Sequence, residues 1–330
     1  MMILSSFRGF ERIGSVFSGQ RGTNFLLGLT IPARTYSLLS LSPSNEKATK
    51  INMSNDGRCC PTDIKPARGD YVGRGRIVEG NSQFDGKLYV TDPTNSGNTA
   101  TMAIIQVFDI FGMSPNADCF ADHLASGLQC PVVIPDFFRG NPWPIDNLPP
   151  VKEGKFPKGV EPEDGYGALM KWMASNPHCR SERPDEIQAI KTYLQTEFPS
   201  VTKIGIVGLC WGAKVAYEST AAAADPSMIA AIAGVHPSQL TKEMIEKIQV
   251  PMCLLNSKDE GEVYTTDIQP AMAAKPFAEK NFFKVFPTMW HGWMGTRRMP
   301  DLSEDVLKDQ EVQYAQGMAD LVAFFRKALA

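Results

Sequence analysis

Residues 203–218 read KIGIVGLCWGAKVAYE, and this stretch gives the strongest indication of the fold. After Lys203, residues 204–208 are apolar and partly β-branched, which predicts a buried strand, whereas the part from Ala213 onward favours a helix. Between them, the Gly-x-Cys-x-Gly pattern centred on Cys210 is typical of a nucleophile elbow, with a thiol in place of the commoner serine. Glycine at 208 and 212 makes room for so tight a turn, and a helix N-terminus behind the sulfur stabilises negative charge on it.

A buried structural cysteine is the alternative interpretation of Cys210, because free cysteine is among the most buried residue types. Cys253 fits that description well, since it lies within the apolar run 250–255. Two glycines flanking an ordinary core cysteine would serve no purpose, however. The pattern therefore favours a nucleophilic role for Cys210.

The rest of the chain alternates apolar runs with amphipathic stretches, which predicts an α/β fold with a mostly parallel sheet covered by helices on both faces. Two short alternating segments, 71–78 and 87–91, predict an antiparallel hairpin ahead of that sheet. The predicted later strands are 102–108, 131–134, 204–207, 229–235, 252–255 and 282–286. The predicted helices are 115–128, 164–175, 183–197, 212–224, 240–247, 269–279 and 304–329.

The composition is that of an ordinary globular protein, with 43% hydrophobic and 21% charged residues and a net charge of −3 over 330 residues. Such a balance gives no sign of nucleic-acid binding or of a basic membrane anchor. Seven scattered cysteines show neither a disulfide framework nor the spacing of a zinc site. We therefore expect no cofactor, no metal, no nucleic-acid partner, no membrane association, and a monomer or homodimer.

The first residues have a different composition from the rest. Up to Ser44 there are four arginines, eight serines and a single acidic residue, which is typical of an organelle transit peptide. We expect residues 1–52 to be a transit peptide and disordered lead-in, 53–70 a flexible segment, and 71–330 one catalytic domain. The mitochondrion is the expected location; a plastid, or the cytoplasm after translation from Met53, are the alternatives.

A thiol nucleophile needs a base, and the base needs an acid to orient it. Among the four histidines, His291 follows the last predicted strand, as the histidine does in chains ordered nucleophile, acid, histidine. His236, at the end of another strand, is the alternative base or a pocket-lining residue. Asp259, directly after the strand 252–255, is the expected acid, and its neighbour Glu260 is the alternative.

Several motifs in order resemble the dienelactone hydrolase family of α/β-hydrolases. They are QVFDIFG at 106–112, PDFFRG at 135–140, GLCWGAK at 208–214, the Asp259 loop and WHGWM at 290–294. The resemblance extends from about Tyr71 to the C-terminus. It implies the α/β-hydrolase fold, a Cys210–Asp259–His291 triad, and an oxyanion hole formed by the backbone N–H groups of Ile110 and Trp211.

The same resemblance implies a substrate-binding role for Asp109, Arg139 and Arg297, with Arg298 as the alternative to Arg297. Asp109 stands where bacterial members of the family carry a glutamate that pairs with the resting thiol, and aspartate is one methylene shorter. The two arginines would grip a carboxylate on the substrate.

These residues predict a carboxylic ester hydrolase that cleaves a small-molecule lactone or activated ester through a covalent thioester. Two alternatives from other classes stay open. One is a thiol redox sensor or oxidoreductase in which Cys59 or Cys60 resolves an oxidised Cys210. The other is a non-catalytic scaffold on the same fold.

Overall fold

The computed structural model of the chain describes residues 64–67, 71–92, 99–145, 162–225, 227–297 and 302–330. The expected transit peptide and most of the expected flexible segment lie outside these residues, so both stay predictions. Among the helices in these ranges, none combines the length and the apolar character that crossing a bilayer requires.

Eight strands form one sheet in the order β1-β2-β4-β3-β5-β6-β7-β8. The pairs β1–β2 and β2–β4 are antiparallel, and every other neighbouring pair is parallel. The predicted N-terminal hairpin and the mostly parallel sheet are thereby confirmed. The strands are β1 Arg76–Val78, β2 Leu88–Thr91, β3 Met102–Val107, β4 Val132–Pro135, β5 Lys203–Leu209, β6 Ala231–Val235, β7 Met252–Ser257 and β8 Phe282–Phe286.

The helices begin where the sequence supplies caps or proline. Ser114 caps the first helix by accepting from the N–H of Ala117, and Ser303 caps the last by accepting from the N–H of Val306. Pro115, Pro184 and Pro270 each occupy a first-turn position of a helix, where the missing N–H of proline costs nothing. The helices are α1 Pro115–Leu128, α2 Pro162–Ser175, α3 Pro184–Glu197, α4 Trp211–Ala222, α5 Lys242–Lys247, α6 Gln269–Ala273 and α7 Glu304–Ala328.

The helix predicted over 269–279 is wrong in its extent. A single π-helical turn, Tyr264–Ile268, precedes α6, which itself ends at Ala273. A separate 3₁₀ turn, Ala278–Lys280, follows. The physical reason is Pro276, because proline disfavours the helical conformation of the residue before it and cannot donate into the ladder.

The register of the central strands brings their carboxyl ends to one edge. Val107 of β3 pairs with Gly208 of β5, and Leu209 of β5 pairs with Val235 of β6. Val235 in turn pairs with Leu255 of β7. The loops after β3, β5, β6 and β7 therefore leave the sheet side by side, which is where parallel sheets build their active sites.

Candidate active site

Cys210 lies at the sharp turn between β5 and α4. Its dihedrals, φ 55° and ψ −116°, are strained for a non-glycine residue, a cost of about 1–3 kcal/mol. The strain is held by backbone hydrogen bonds on both sides of the residue. The N–H of Cys210 donates to the carbonyl of Val235 at 3.1 Å, and its own carbonyl accepts from Ala213 at 3.1 Å.

The flanking glycines are required by close backbone contacts. A Cβ on Gly208 would lie 2.0 Å from the carbonyl oxygen of Gly212, and one on Gly212 would lie 2.3 Å from that of Val107. Both separations are far below a van der Waals contact, so neither position accepts a side chain in this conformation. The turn thus has the geometry that the sequence pattern predicts for an elbow.

Exposure separates Cys210 from the other cysteines that the structure describes. Cys210 is partly exposed, whereas Cys119, Cys130, Cys179 and Cys253 are buried. Burial raises the pKa of the thiols of Cys119 and Cys130 to about 12, which keeps them protonated and unreactive. Within the described residues, the thiol that a substrate can reach is that of Cys210.

His291 holds its imidazole against that thiol. The Nε2 atom lies 3.1 Å from the Sγ atom of Cys210. Burial by itself disfavours the imidazolium, but negative charge on Cys210 and the carboxylate of Glu260 favour it more strongly and raise the pKa of His291 to about 10. A protonated imidazole in contact with the sulfur is the arrangement that stabilises a thiolate.

The carboxylate on the other side of the ring belongs to Glu260. Its Oε1 atom lies 2.8 Å from Nδ1 of His291, and its side chain is 2% exposed. The N–H and the hydroxyl of Ser257 also donate to this carboxylate. The contacts of Asp259 are different from those expected, because its Oδ2 accepts from the backbone N–H of His291 at 2.9 Å.

The difference between the two acids has a simple geometric cause. Consecutive loop residues point in different directions, and Asp259 is the exposed one of the pair. Glutamate is also one methylene longer, which lets its carboxylate reach back under the ring. Spacing along the chain could place an acid in this loop but could not decide which of two neighbours faces inward.

His236, the alternative base, lies behind the imidazole of His291 instead of at the thiol. The two rings meet edge to face with centroids 5.2 Å apart. His236 is fully buried, and burial together with the charge of His291 lowers its pKa well below the ordinary value. Neither of its ring nitrogens has a hydrogen-bond partner among the described residues.

Two backbone N–H groups at this edge have no acceptor within the described part of the chain. They belong to Ile110, in the loop after β3, and to Trp211, the first residue of α4. The backbone of Gly212 passes close to the carbonyl groups of Val107 and Phe108, at the point where β3 leads into the loop of Ile110. Unpaired N–H groups beside a nucleophile are what an oxyanion hole requires, and the first N–H groups of a helix are naturally unpaired.

Comparison with known proteins settles the family. The model of the dienelactone hydrolase family matches residues 87–329. The chain belongs to the dienelactone hydrolase family. The structure of a candidate dienelactone hydrolase from Klebsiella pneumoniae, at 14% identity, superimposes with a TM-score of 0.50 over 74% of this chain and 99% of its own. That likeness confirms the α/β-hydrolase fold.

The relatives of this chain include AIM2 family proteins and carboxymethylenebutenolidase homologs. An AIM2 family protein of Schizosaccharomyces pombe, named as uncharacterized, is 30% identical over 82% of this chain and 99% of its own length. The human carboxymethylenebutenolidase homolog is 34% identical over 48% of this chain and 55% of its own length. Together with the family match, these relatives support a dienelactone hydrolase-type ester hydrolase.

Asp109, the acidic position of the family, is buried, and both of its carboxylate oxygens accept from backbone N–H groups. Its Oδ1 accepts from the N–H of Phe111 at 3.0 Å and its Oδ2 from the N–H of Thr296 at 2.7 Å. Burial raises its pKa to about 6, opposed by these hydrogen bonds. Asp109 thus joins the loop after β3 to the loop that follows His291, and its substrate-binding role stays a prediction.

Arg139 is an ion-pair partner in this structure. Its guanidinium donates to Glu186 at 2.7 Å and to the carbonyl of Asp136 at 2.9 Å. It also lies over the ring of Phe84 at 4.3 Å. A substrate carboxylate would have to compete with Glu186 for this cation, so the expected grip on substrate is not preformed here.

Arg297 lies beside the histidine loop. Its Nη1 donates to the carbonyl of His291 at 3.3 Å, and its side chain packs over Gly292. This puts a cation next to the candidate base, and the substrate-binding role of Arg297 stays a prediction. Arg298, the alternative, lies outside the described residues.

One polar residue at this edge was missed by the sequence analysis. Ser238, three residues beyond the end of β6, has its hydroxyl 3.3 Å from Sγ of Cys210 and 3.5 Å from Nε2 of His291. The available signal was its position just after a strand at the active edge of a parallel sheet. Among the described residues, no group of three or more His, Cys, Asp and Glu side chains is arranged to hold a metal ion.

Proposed function

We propose that this family member is a cysteine-nucleophile hydrolase that cleaves a lactone or activated carboxylic ester through a thioester. The observation that carries the proposal is one continuous chain of contacts. Glu260 Oε1 lies 2.8 Å from His291 Nδ1, and His291 Nε2 lies 3.1 Å from Cys210 Sγ. The proposed triad is Cys210, His291 and Glu260, with Asp259 bracing the backbone of His291.

In the first half-reaction, the thiolate of Cys210 attacks the carbonyl carbon. The carbonyl π electrons move to oxygen, and the N–H groups of Ile110 and Trp211 stabilise the resulting oxyanion. One such donor contributes about 3 kcal/mol to transition-state stabilisation. Collapse of the intermediate breaks the carbon–oxygen bond of the ester, and the leaving oxygen takes the proton from Nε2 of His291.

In the second half-reaction, the neutral imidazole removes a proton from water. The hydroxide equivalent attacks the thioester carbon, the carbon–sulfur bond breaks, and the electron pair returns to sulfur. The acid product leaves, and the thiolate and imidazolium are restored. Glu260 keeps the ring oriented and stabilises its charge in both halves, since it holds Nδ1 throughout.

The nucleophile indicates which substrates suit the site. A thiolate is a good leaving group, so the tetrahedral intermediate returns to reactants unless the other leaving group is also good. Enol lactones and aryl esters satisfy that condition, and amides do not. We therefore propose lactones and activated esters as the substrate class, with weak or no peptidase activity.

The test uses the chain lacking residues 1–52 and a panel of dienelactone, p-nitrophenyl acetate, a neutral lactone and an amide. We expect turnover of the first three, and an acyl adduct on the Cys210 peptide when the reaction is quenched and analysed by mass spectrometry. Cys210→Ala should lose about a thousandfold or more in kcat/KM. Cys119→Ala, the same change at a buried thiol outside the site, should keep the wild-type rate.

Wild-type turnover by Cys210→Ala would contradict the nucleophile. Turnover without an adduct on Cys210 would contradict the thioester. Comparing the two lactones also examines Arg297, because a cation that binds the substrate lowers KM for the carboxylate-bearing lactone but not for the neutral one.

A further inference from the structure

The loop after β6 brings a third functional group to the candidate nucleophile and base. The hydroxyl of Ser238 lies 3.3 Å from Cys210 Sγ and 3.5 Å from His291 Nε2. The first separation is a hydrogen bond to sulfur, and the second is at the outer limit of one to nitrogen. A hydroxyl can donate one hydrogen bond while it accepts others, so it can serve both groups at once.

This position is not accidental, because the Ser238 backbone is tied to the elbow itself. Its N–H donates to the carbonyl of Cys210 at 3.2 Å. The parallel pairing of Leu209 with Val235 puts the ends of β5 and β6 side by side, which makes this bond possible. The hydroxyl is therefore located relative to the sulfur by main-chain contacts.

The loop is also braced from the opposite side by a buried tyrosine. The hydroxyl of Tyr264 donates to the carbonyl of Pro237 at 3.0 Å and accepts from the N–H of Leu240 at 3.2 Å. These two contacts lie immediately before and two residues after Ser238. Tyr264 begins the π-helical turn, an irregularity that is frequent at functional sites.

Strained backbone flanks Ser238 on both sides. His236 has φ 36° and Gln239 has φ 55°, and both are outside the conformations that non-glycine residues prefer. Strain of this kind persists only where surrounding contacts enforce it, and it concentrates at functional sites. A loop that only connected β6 to α5 would not need two such residues beside the one that touches the nucleophile.

Within the described ranges, no carboxylate is hydrogen-bonded to the thiol of Cys210. The carboxylate oxygens of Asp109 are occupied by the N–H groups of Phe111 and Thr296. The carboxylate of Glu260 is on the far side of the imidazole. Of the described side chains, His291 and Ser238 are the two with a hydrogen bond to Sγ of Cys210.

We propose that Ser238 is a catalytic residue whose Oγ–H donates a hydrogen bond to the thiolate of Cys210 while its oxygen faces the Nε2–H of His291. No bond to Ser238 forms or breaks, and it keeps its proton throughout. The bond is made to the charged sulfur and weakens once the sulfur becomes a thioester, so Ser238 increases the thiolate population of the resting enzyme. The inference rests on the proposed function of Cys210.

The folded protein is treated with iodoacetamide at a series of pH values. After digestion, mass spectrometry gives the rate of alkylation of the peptide that contains Cys210. Ser238→Thr and Ser238→Val are the matched pair, because their side chains have the same shape and differ in the hydroxyl. Removing a hydrogen bond to a charged group corresponds to a shift of about one pH unit. We expect the alkylation midpoint of Ser238→Val, and of Ser238→Ala, to be higher by that amount, and that of Ser238→Thr to stay near wild type.

Hydrolysis of p-nitrophenyl acetate should follow the same order. At neutral pH the Val and Ala variants should lose about tenfold in acylation rate, and they should recover part of it as the pH is raised. A merely structural role would lower the rate at every pH. Ser227→Ala, at an exposed site that bonds to Asp225, is the control for loss of a serine hydroxyl.

Equal alkylation midpoints for the Thr and Val variants would overturn the proposal. So would a loss of activity in Ser238→Ala that is the same at all pH values. The two readouts separate this inference from the function on which it rests. If Cys210→Ala hydrolyses ester at the wild-type rate, the proposed function fails, while the alkylation midpoints still report whether Ser238 stabilises the thiolate.

Discussion

In two regions of the described structure a cysteine contacts a histidine with an acidic residue nearby, and one of the two has the geometry of a catalytic site. At the elbow, His291 Nε2 lies 3.1 Å from Cys210 Sγ and Nδ1 lies 2.8 Å from Glu260. On α1, one turn apart, Cys119 Sγ lies 3.8 Å from His123 Nδ1. The second cluster lies within one stretch of α1, whereas the residues of the first come from three separate loops.

The acid of the α1 cluster is used for structure. Asp122 accepts from the hydroxyls of Tyr71 at 2.7 Å and Tyr89 at 2.8 Å, and from the N–H of Arg74 at 2.8 Å. These contacts join the segment before β1, strand β2 and helix α1. These hydrogen bonds to the carboxylate of Asp122 thus hold the fold together.

The environments of the two thiols are opposite as well. Cys119 is buried, and burial raises its pKa to about 12. Cys210 is partly exposed at a strained turn, directly before the N–H of Trp211, which has no acceptor among the described residues. The comparison shows that a reactive cysteine is made by exposure, an oriented imidazole and nearby hydrogen-bond donors, whereas a cysteine–histidine contact in the core remains inert.

The largest expected effect is on hydrolysis, when the histidine of each cluster is replaced by asparagine in separate variants. We expect His291→Asn to lose about a thousandfold or more in kcat/KM for p-nitrophenyl acetate, since it removes both the charge beside the thiol and the base for deacylation. His123→Asn should keep the wild-type rate and lower the thermal midpoint instead. Comparable loss of activity in the two variants, with both folded by circular dichroism, would remove the distinction between the clusters.

A smaller effect should separate the two acids of the β7 loop. Glu260→Gln removes the negative charge beside Nδ1 of His291, and we expect kcat to fall by about a hundredfold or more. Asp259→Asn keeps an oxygen that can accept from the backbone N–H of His291, so we expect a loss of about threefold or less. Steady-state kinetics at a single pH decides between them. The reverse order would make Asp259 the orienting acid.

The smallest effect concerns stability and belongs to the α1 cluster. Burial and the neighbouring charge of Asp122 raise the pKa of Asp118 from 3.8 to about 6. The folded state therefore binds this proton more tightly than the unfolded state does. The resulting stabilisation is present below pH 3.8 and is lost as the pH rises through about 6.

Asp118→Asn should accordingly lose less stability than wild type between pH 4.5 and 7.5. We expect a difference of about 2 °C or more in the change of Tm, measured by scanning fluorimetry, with the pH profile of hydrolysis unaltered. Asp225→Asn is the control, because hydrogen bonds from Ser227 lower the pKa of that exposed carboxylate. Parallel Tm profiles for wild type and Asp118→Asn would show that Asp118 is not the titrating group.

Much of the fold was predictable from local pattern. Apolar runs separated by amphipathic stretches predicted the parallel sheet, and the family motifs predicted the same architecture, which the structural comparison confirms. The prediction failed where local signals competed, as in the segment after β7, where Pro276 ends a helix that the periodicity extends too far. The elbow was predictable because its glycines are required by backbone contacts only a few residues apart.

The candidate site was predictable only in part. Order along the chain pointed to Cys210 and His291, which the structure brings within 3.1 Å. It did not show that Glu260 and not Asp259 contacts the imidazole of His291. It also did not show that Arg139 forms an ion pair with Glu186. Those outcomes depend on the direction of each side chain and on partners from other elements. The spacing of residues along the sequence gives no information on either.

The sequence by itself indicated the family through the resemblance of short motifs. The strand-to-helix turn at Cys210 and the loops around it followed from periodicity and from short-range backbone sterics. The acid that faces His291 and the contact of Ser238 with the sulfur became evident from the tertiary structure alone. The physical reason is that β5, β6 and β7 are far apart in the chain and adjacent in the sheet. Their pairing register alone sets which side chains meet at the common edge.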